Sequence, residues 1–234
     1  MVFNSVEFAV FFPIVFIAFW LLKNYRFLQN LLLLSASLYF YFCFHYSFPI
    51  YLLFLTLISY SFSFLISRTE SVKNRKVLLY TALVLLSFGL IYLKYSGLLI
   101  GNIKGLSQWQ ASAFNFLLPV GISFYTFSSI GYVLDIYNKK IPVEKNFITF
   151  AAYICCFPYL LIGPIASAEH LIPQFNKKPT LTMKGIDQSI GEILWGLFKK
   201  IVVADNISLG VSYCFSRQNE LNGSSLLVGT ILCF

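Results

Sequence analysis

From Phe27 to Ser67 the chain carries no Asp, Glu, Lys or Arg. At about 1.5 Å of rise per residue, that stretch folded as helix crosses a hydrocarbon layer of about 30 Å roughly twice. His45-Tyr46-Ser47-Phe48-Pro49 in its middle offers the reversal, because a residue before proline is steered out of the helical region. Charged residues make up only 11% of the whole chain and hydrophobic ones 58%, whereas a soluble domain has about a quarter charged residues to cover its surface. A soluble globule is therefore excluded. The apolar residues also fall in runs, not in the period of two that a membrane barrel needs. The fold class that follows is all-α: a polytopic helical membrane protein with re-entrant or broken helices.

The same reading along the chain gives spans at about 6–22, 28–45, 48–67, 77–99 and 116–135. The opening stretch has no basic region and carries Glu7 where a signal peptide needs a cation, so it reads as a retained span. Residues 105–134 and 146–168 are uncharged but interrupted, the first by Pro119 and Gly121, the second by Pro158, Gly163 and Pro164. A broken helix leaves backbone groups unpaired, which hydrocarbon does not tolerate unless protein or a wet cavity receives them. The interruptions thus mark the expected cavity.

Cations set the orientation. With 17 Lys and Arg against 9 Asp and Glu the chain is basic, but the cations sit in short clusters between apolar stretches, as in loops beside anionic lipid. That argues for a bilayer as the partner and against nucleic acid. An outside amino terminus places Lys23, Arg26, Arg68, Lys73, Arg75, Lys76, Lys139, Lys140 and Lys145 inside and leaves Lys104 opposite, as the positive-inside rule prefers. A full crossing by 146–168 would then put Lys177, Lys178 and Lys184 outside, so this segment is expected to be re-entrant. Beyond it, Ile186, Ile190, Ile193, Leu194, Leu197 and Ile201 recur at helical spacing, with Asp187 early and Lys199 and Lys200 late. That predicts one interfacial amphipathic helix over 185–204. A last apolar segment, 224–234, is short of a crossing, and the expectation is a chain that ends inside a span, as a truncated product or split gene would.

Chemical motifs are sparse. Cys43, Cys155, Cys156, Cys214 and Cys233 show no metal-ligand spacing and read as reduced structural thiols. No phosphate loop, dinucleotide fingerprint or nucleophile elbow occurs, and Gly97 to Gly101 reads as a packing contact. No metal and no permanently bound cofactor is expected.

Four blocks carry a resemblance: MVFNSVEFAVFFPIVFIAFWLL at the start, LPVGISFYTFSSIGYVLDIY at 118–137, FPYLLIGPIASAEHLIPQF at 157–175, and GLFKKIVVADN at 196–206. Together, in this order, they resemble the membrane-bound O-acyltransferase family, in the branch of the bacterial alginate O-acetylation proteins, and about the first half of a family member. The resemblance implies a multi-pass enzyme of the bacterial cytoplasmic membrane that moves an acyl group, usually acetyl, to an extracytoplasmic polysaccharide such as alginate or to a relay protein. It further implies acetyl-coenzyme A or an acylated carrier as donor, alongside other polysaccharide-modification proteins. The family's catalytic histidine belongs to a Trp-His block that follows an Asp-Phe-Ser-Gly stretch. Neither occurs here, so no catalytic residue is transferred, the histidine is expected beyond Phe234, and the chain alone is expected to be inactive.

His45, among aromatics at a reversal, and His170, beside Glu169, match no catalytic block. The interrupted segments admit two readings. In one, Pro and Gly only let helices kink and pack. In the other, Pro119, Gly121, Ser123, Tyr125, Gly163, Pro164 and Gln174 line a tunnel through which donor and acceptor approach the histidine. Interrupted spans also occur in transporters, so a transporter or export subunit is the alternative, followed by a non-catalytic partner of an acyltransferase complex. A transporter would repeat its interrupted pair, and no repeat is found.

Overall fold

The computed structural model describes residues 5–101, 118–160, 167–180, 182–216 and 223–232, with the backbone alone at 95–101 and 224–226. The described residues are helical and contain no strand. They form two compact units, Met1–Pro179 and Thr180–Phe234, each described by itself.

In the first unit, α1 (Val6–Leu21) starts where Ser5 accepts a hydrogen bond from the Phe8 amide at 3.3 Å, satisfying one of the free amides of a first turn. α2 (Arg26–Phe42) folds back along it. The Gln29 side chain donates to the Phe19 carbonyl at 2.9 Å, in the last turn of α1 where carbonyls have no helical donor. α3 (Phe48–Arg68) opens with Pro49 in its first turn, where the missing amide costs nothing. α4 (Val72–Gly101) follows a short turn. Both α3 and the first 23 residues of α4 are long and apolar enough to cross a membrane.

α5 (Ile122–Tyr137) packs against α3 and α4. Small side chains, Thr56, Ser59 and Ser63 on α3 with Thr126 and Ser129 on α5, are all buried, and such residues let helix backbones approach closely. Around them Leu52, Ile66, Leu86, Tyr132, Val133 and Phe150 form the main core. A second apolar cluster joins Val15, Phe40 and Phe157 to Phe8 and Phe11. Its rings lie about 5.5 to 6.3 Å apart, many edge to face, the arrangement that aromatic quadrupoles favour.

α6 (Phe147–Cys155) is capped by Asn146, whose side-chain oxygen accepts from the Ile148 amide at 2.9 Å. It stops after nine residues, less than half of what a crossing needs. Cys156 is not helical, with φ −53° and ψ 109°, and the four-residue α7 (Phe157–Leu160) begins directly after it. The break therefore falls two residues before Pro158, the first of the three interrupting residues read from the sequence; Gly163 and Pro164 lie outside the described residues. α8 (Ala168–Asn176) completes the unit.

In the second unit the helix predicted over 185–204 differs in extent. It starts at Met183, where the Thr182 hydroxyl oxygen accepts from the Gly185 amide at 3.2 Å. α9 (Met183–Phe198) does not end at the lysine pair but passes through a π-helical stretch, Lys199–Ala204, into α10 (Asp205–Ser216). Lys199 and Lys200 suit a helix end, yet Lys200 instead bonds Asp205 at 2.7 Å across the π stretch, and Lys199 sits 5.2 Å over the Trp195 ring. α11 (Gly223–Leu232) returns along α10, and Gly229 lies so close to Cys214 that a Cβ there would stand 2.9 Å from the cysteine's own Cβ.

Candidate functional site

One face of α2 organises the interrupted segments. Ser37 and Tyr41 are four residues apart, hence one above the other on the helix. The Ser37 hydroxyl donates to the Leu33 carbonyl at 2.7 Å and accepts the Phe157 amide at 3.1 Å. One turn on, the Tyr41 hydroxyl donates to the Val120 carbonyl at 2.5 Å. Backbone groups freed by the breaks before Phe157 and at Pro119 to Gly121 are thus taken up by two hydroxyls of a single helix, which is how irregular backbone survives away from water.

Around Tyr41 the structure gathers three tyrosines. Its hydroxyl lies 3.4 Å from that of Tyr125, and the rings meet edge to face at 6.2 Å. The Tyr51 ring is 6.3 Å from Tyr125. On the far side Gly89 leaves room for Tyr51, since a Cβ there would come within 2.8 Å of the Tyr51 hydroxyl. Gly121 has φ 75°, a left-handed conformation that glycine adopts without penalty, and the turn it makes delivers Tyr125 inward. Of the tunnel candidates, Pro119 and Tyr125 are buried and Ser123 is half-buried in the same turn. Gln174 is exposed on α8 and no hydrogen bond among the described residues joins it to the tyrosines. His45 lies in the α2–α3 turn, its Nδ1 2.6 Å from the Ser47 hydroxyl oxygen, and its ring is 5.4 Å from Phe48, which in turn touches Tyr41. His170 is exposed on α8.

Ser37, Tyr41 and Tyr51 escaped the sequence reading. A signal existed: Asn30, Ser37 and Tyr41 fall at i, i+7 and i+11, one stripe of polar groups along a largely apolar helix. Asn30 uses that stripe to donate to Thr149 on α6 at 3.0 Å.

The opposite end of this unit is basic. Arg26 donates to the Lys177 carbonyl, Tyr60 to the Lys145 carbonyl at 2.7 Å, Arg75 to the Tyr137 carbonyl at 2.7 Å, and Asn176 to Glu144 at 2.9 Å. These bonds draw together the start of α2, the α3–α4 turn, the α5–α6 loop and the end of α8. The chain enters at Asn146, reaches the level of Ser37 at Phe157, and is back at its starting end by Asn176. A cleft of about 310 Å³ between the α5–α6 loop and α8, lined by Val143, Glu144, Glu169, Asn176 and Lys177, opens there. Among the described residues no group of His, Cys, Asp or Glu could hold a metal.

Tyr41 donates its one proton to the Val120 carbonyl, which leaves the Tyr51 and Tyr125 hydroxyls as the groups that could hold a developing oxyanion; the cluster contains no carboxylate or imidazole to move a proton. The probable alginate O-acetylase AlgI of Pseudomonas putida is 32% identical over 97% of this chain, and the match covers 47% of that relative. The chain is similar to the alginate O-acetylases along nearly its whole length. The protein of the same name from Pseudomonas aeruginosa is also 32% identical over 97% of the chain, covering 44% of the relative. A peptidoglycan O-acetyltransferase of Helicobacter pylori is 24% identical over 95% of the chain. The chain spans about half the length of these alginate O-acetylase relatives. No protein-family profile and no solved structure matches it.

Proposed function

We propose that this chain is the amino-terminal part of a membrane O-acetyltransferase that places acetyl groups on hydroxyls of an extracytoplasmic polysaccharide, alginate or a related polymer. The observation that carries the reading is the identity to alginate O-acetylases along 97% of the chain. Acyl transfer to a hydroxyl needs a base for the hydroxyl proton and donors for the oxyanion. In this proposal the base is a histidine supplied by residues outside this chain. The Tyr41, Tyr51 and Tyr125 group and the Gly121 turn form the wall near which it works, with Ser123 as further wall and Gln174 at the rim.

The enzyme sits in the bacterial cytoplasmic membrane with the basic end inside and the tyrosine end outside. Acetyl-coenzyme A or an acylated carrier then reaches the basic end, and the polysaccharide or a relay protein the other, beside further polysaccharide-modification proteins. Support comes from the bonds that bring Lys145 and Lys177 to the same end as Arg26 and Arg75, since cations concentrate on the cytoplasmic side.

Two experiments test this. The chain is exchanged for the matched region of the Pseudomonas putida relative in a strain lacking that relative, and acetyl groups on the secreted polymer are counted. The expected result is restored acetylation from the chimera and none from this chain alone; a chimera that accumulates in the membrane without acetylating the polymer refutes the assignment. For orientation, single cysteines at Asn74 and Lys178 are expected to resist a membrane-impermeant thiol reagent in intact cells and to react after lysis. Labelling of Lys178→Cys in intact cells would place the end of α8 outside and overturn the orientation.

A further inference from the structure

A second cavity at the basic end, of about 610 Å³, is bounded by the α3–α4 turn and the end of α5. Arg75, Lys139 and Lys140 line it, against the single acid Glu70, together with Ser67 and Thr69. The two hydroxyls donate to the Phe64 and Leu65 carbonyls, both at 2.8 Å, so their protons are committed and the cations dominate the wall. Arg75 and Lys139 are both conformationally constrained here. Arg75 is fixed by its bond to the Tyr137 carbonyl and lies 5.3 Å over the Tyr137 ring. Its Nε–H is shielded from solvent and has no acceptor, an arrangement that costs free energy unless something completes it. Lys139 has φ 58°, a conformation that L side chains rarely adopt.

The Lys139 geometry is specific. Its amide donates to the Ile136 carbonyl and the Lys140 amide to the Asp135 carbonyl, at 3.1 and 2.9 Å. This is the Schellman ending of a helix, in which the left-handed position is normally glycine. The bonds pair the helix-end carbonyls equally well with glycine, so lysine adds strain that glycine avoids, and strain retained in this way points to use of the side chain. Lys140 is only loosely engaged, 3.5 Å from Asp135 and largely exposed.

We propose that this cavity binds a phosphate ester, and that its natural carrier is the headgroup of an anionic phospholipid from the adjoining leaflet. The cavity lies where α3 and α4, both long and apolar enough to cross a membrane, meet in a turn, which is the depth of headgroups. Its size is in the range of small-molecule pockets, and guanidinium with lysine ammonium is the donor set that phosphate oxygens select.

The test uses the full chain purified in neutral detergent and native mass spectrometry with phosphatidylglycerol and phosphatidylcholine offered in equal amounts. The expected result is selective retention of phosphatidylglycerol, reduced about fivefold by Lys139→Gly and again by Lys140→Gln, the factor equivalent to about 1 kcal/mol per cation near anionic lipid. Lys139→Gly relieves the left-handed strain, so its melting temperature is expected not to fall, which separates lost binding from lost folding. Lys199→Gln in the second unit is expected to leave retention unchanged. A parallel arm offers millimolar inorganic phosphate without lipid. Stabilisation by phosphate that vanishes in the Lys139→Gly chain would keep the phosphate site and transfer it from lipid to a soluble carrier. Equal retention of both lipids with no response to phosphate, or selectivity that survives the double replacement, overturns the proposal.

Discussion

Replacing Ser37 by Val is expected to cost the folded chain about 2 kcal/mol, because the Phe157 amide loses its acceptor in a region without water to replace it. Such a cost changes the ratio of folded to unfolded chain by roughly thirtyfold. Ser37→Thr restores the hydroxyl and is expected to behave nearly as the parent. The measurement is the thermal midpoint in detergent, read by loss of the monodisperse species. A Ser37→Val chain that melts with the parent would mean that Phe157 finds another acceptor and that α2 does not organise the break.

Gly121→Val is expected to cost about 1–3 kcal/mol, since a β-branched residue is forced to φ 75°. Gly121→Asn, which tolerates that region, is expected to lose much less. The turn carries more than its own strain, because it aims the Val120 carbonyl at Tyr41. Tyr41→Phe alone removes one hydrogen bond, about 1 kcal/mol. If the turn holds that bond, Tyr41→Phe should cost little more once Gly121→Val has displaced the turn, so the double variant is less destabilised than the sum of the two singles. Simple additivity would show that the tyrosine and the turn act independently. In the chimeric enzyme the same Val is expected to depress acetylation beyond its loss of folded protein, and proportional loss of both would leave the turn a purely packing role.

How far the sequence anticipated this arrangement varies with the range of the interaction. The α2–α3 pair was legible because absence of charge over 27–67 is a local property, and Pro49 marked the start of α3. The non-helical turn at Pro119 to Gly121 before α5 was legible too, although not its left-handed backbone, which composition does not encode. Ser37 and Tyr41 could be seen on one face of α2, but their partners are 120 and 79 residues away, and pairing at that distance depends on the tertiary arrangement. The same applies to Arg26 with Lys177 and to Glu144 with Asn176. The helix through Lys199 and Lys200 was misjudged in extent for a different reason. A basic pair after an apolar stripe is how many helices end, and nothing local distinguishes an end from a π-helical stretch that carries the helix onward.

That π-helical stretch has a geometric consequence. A π turn accommodates an additional residue without interrupting the rod, and each residue of an α-helix turns the side-chain direction by about 100°. The stripe running from Ile186 to Leu197 therefore does not continue in phase along α10. Residues such as Leu209 and Tyr213, which a regular helix would aim by simple counting from Ile193, are swung to a different bearing. One uninterrupted helix from Met183 to Ser216 in this way presents its two halves on different bearings, like a shaft with a keyway cut at each end on a different side.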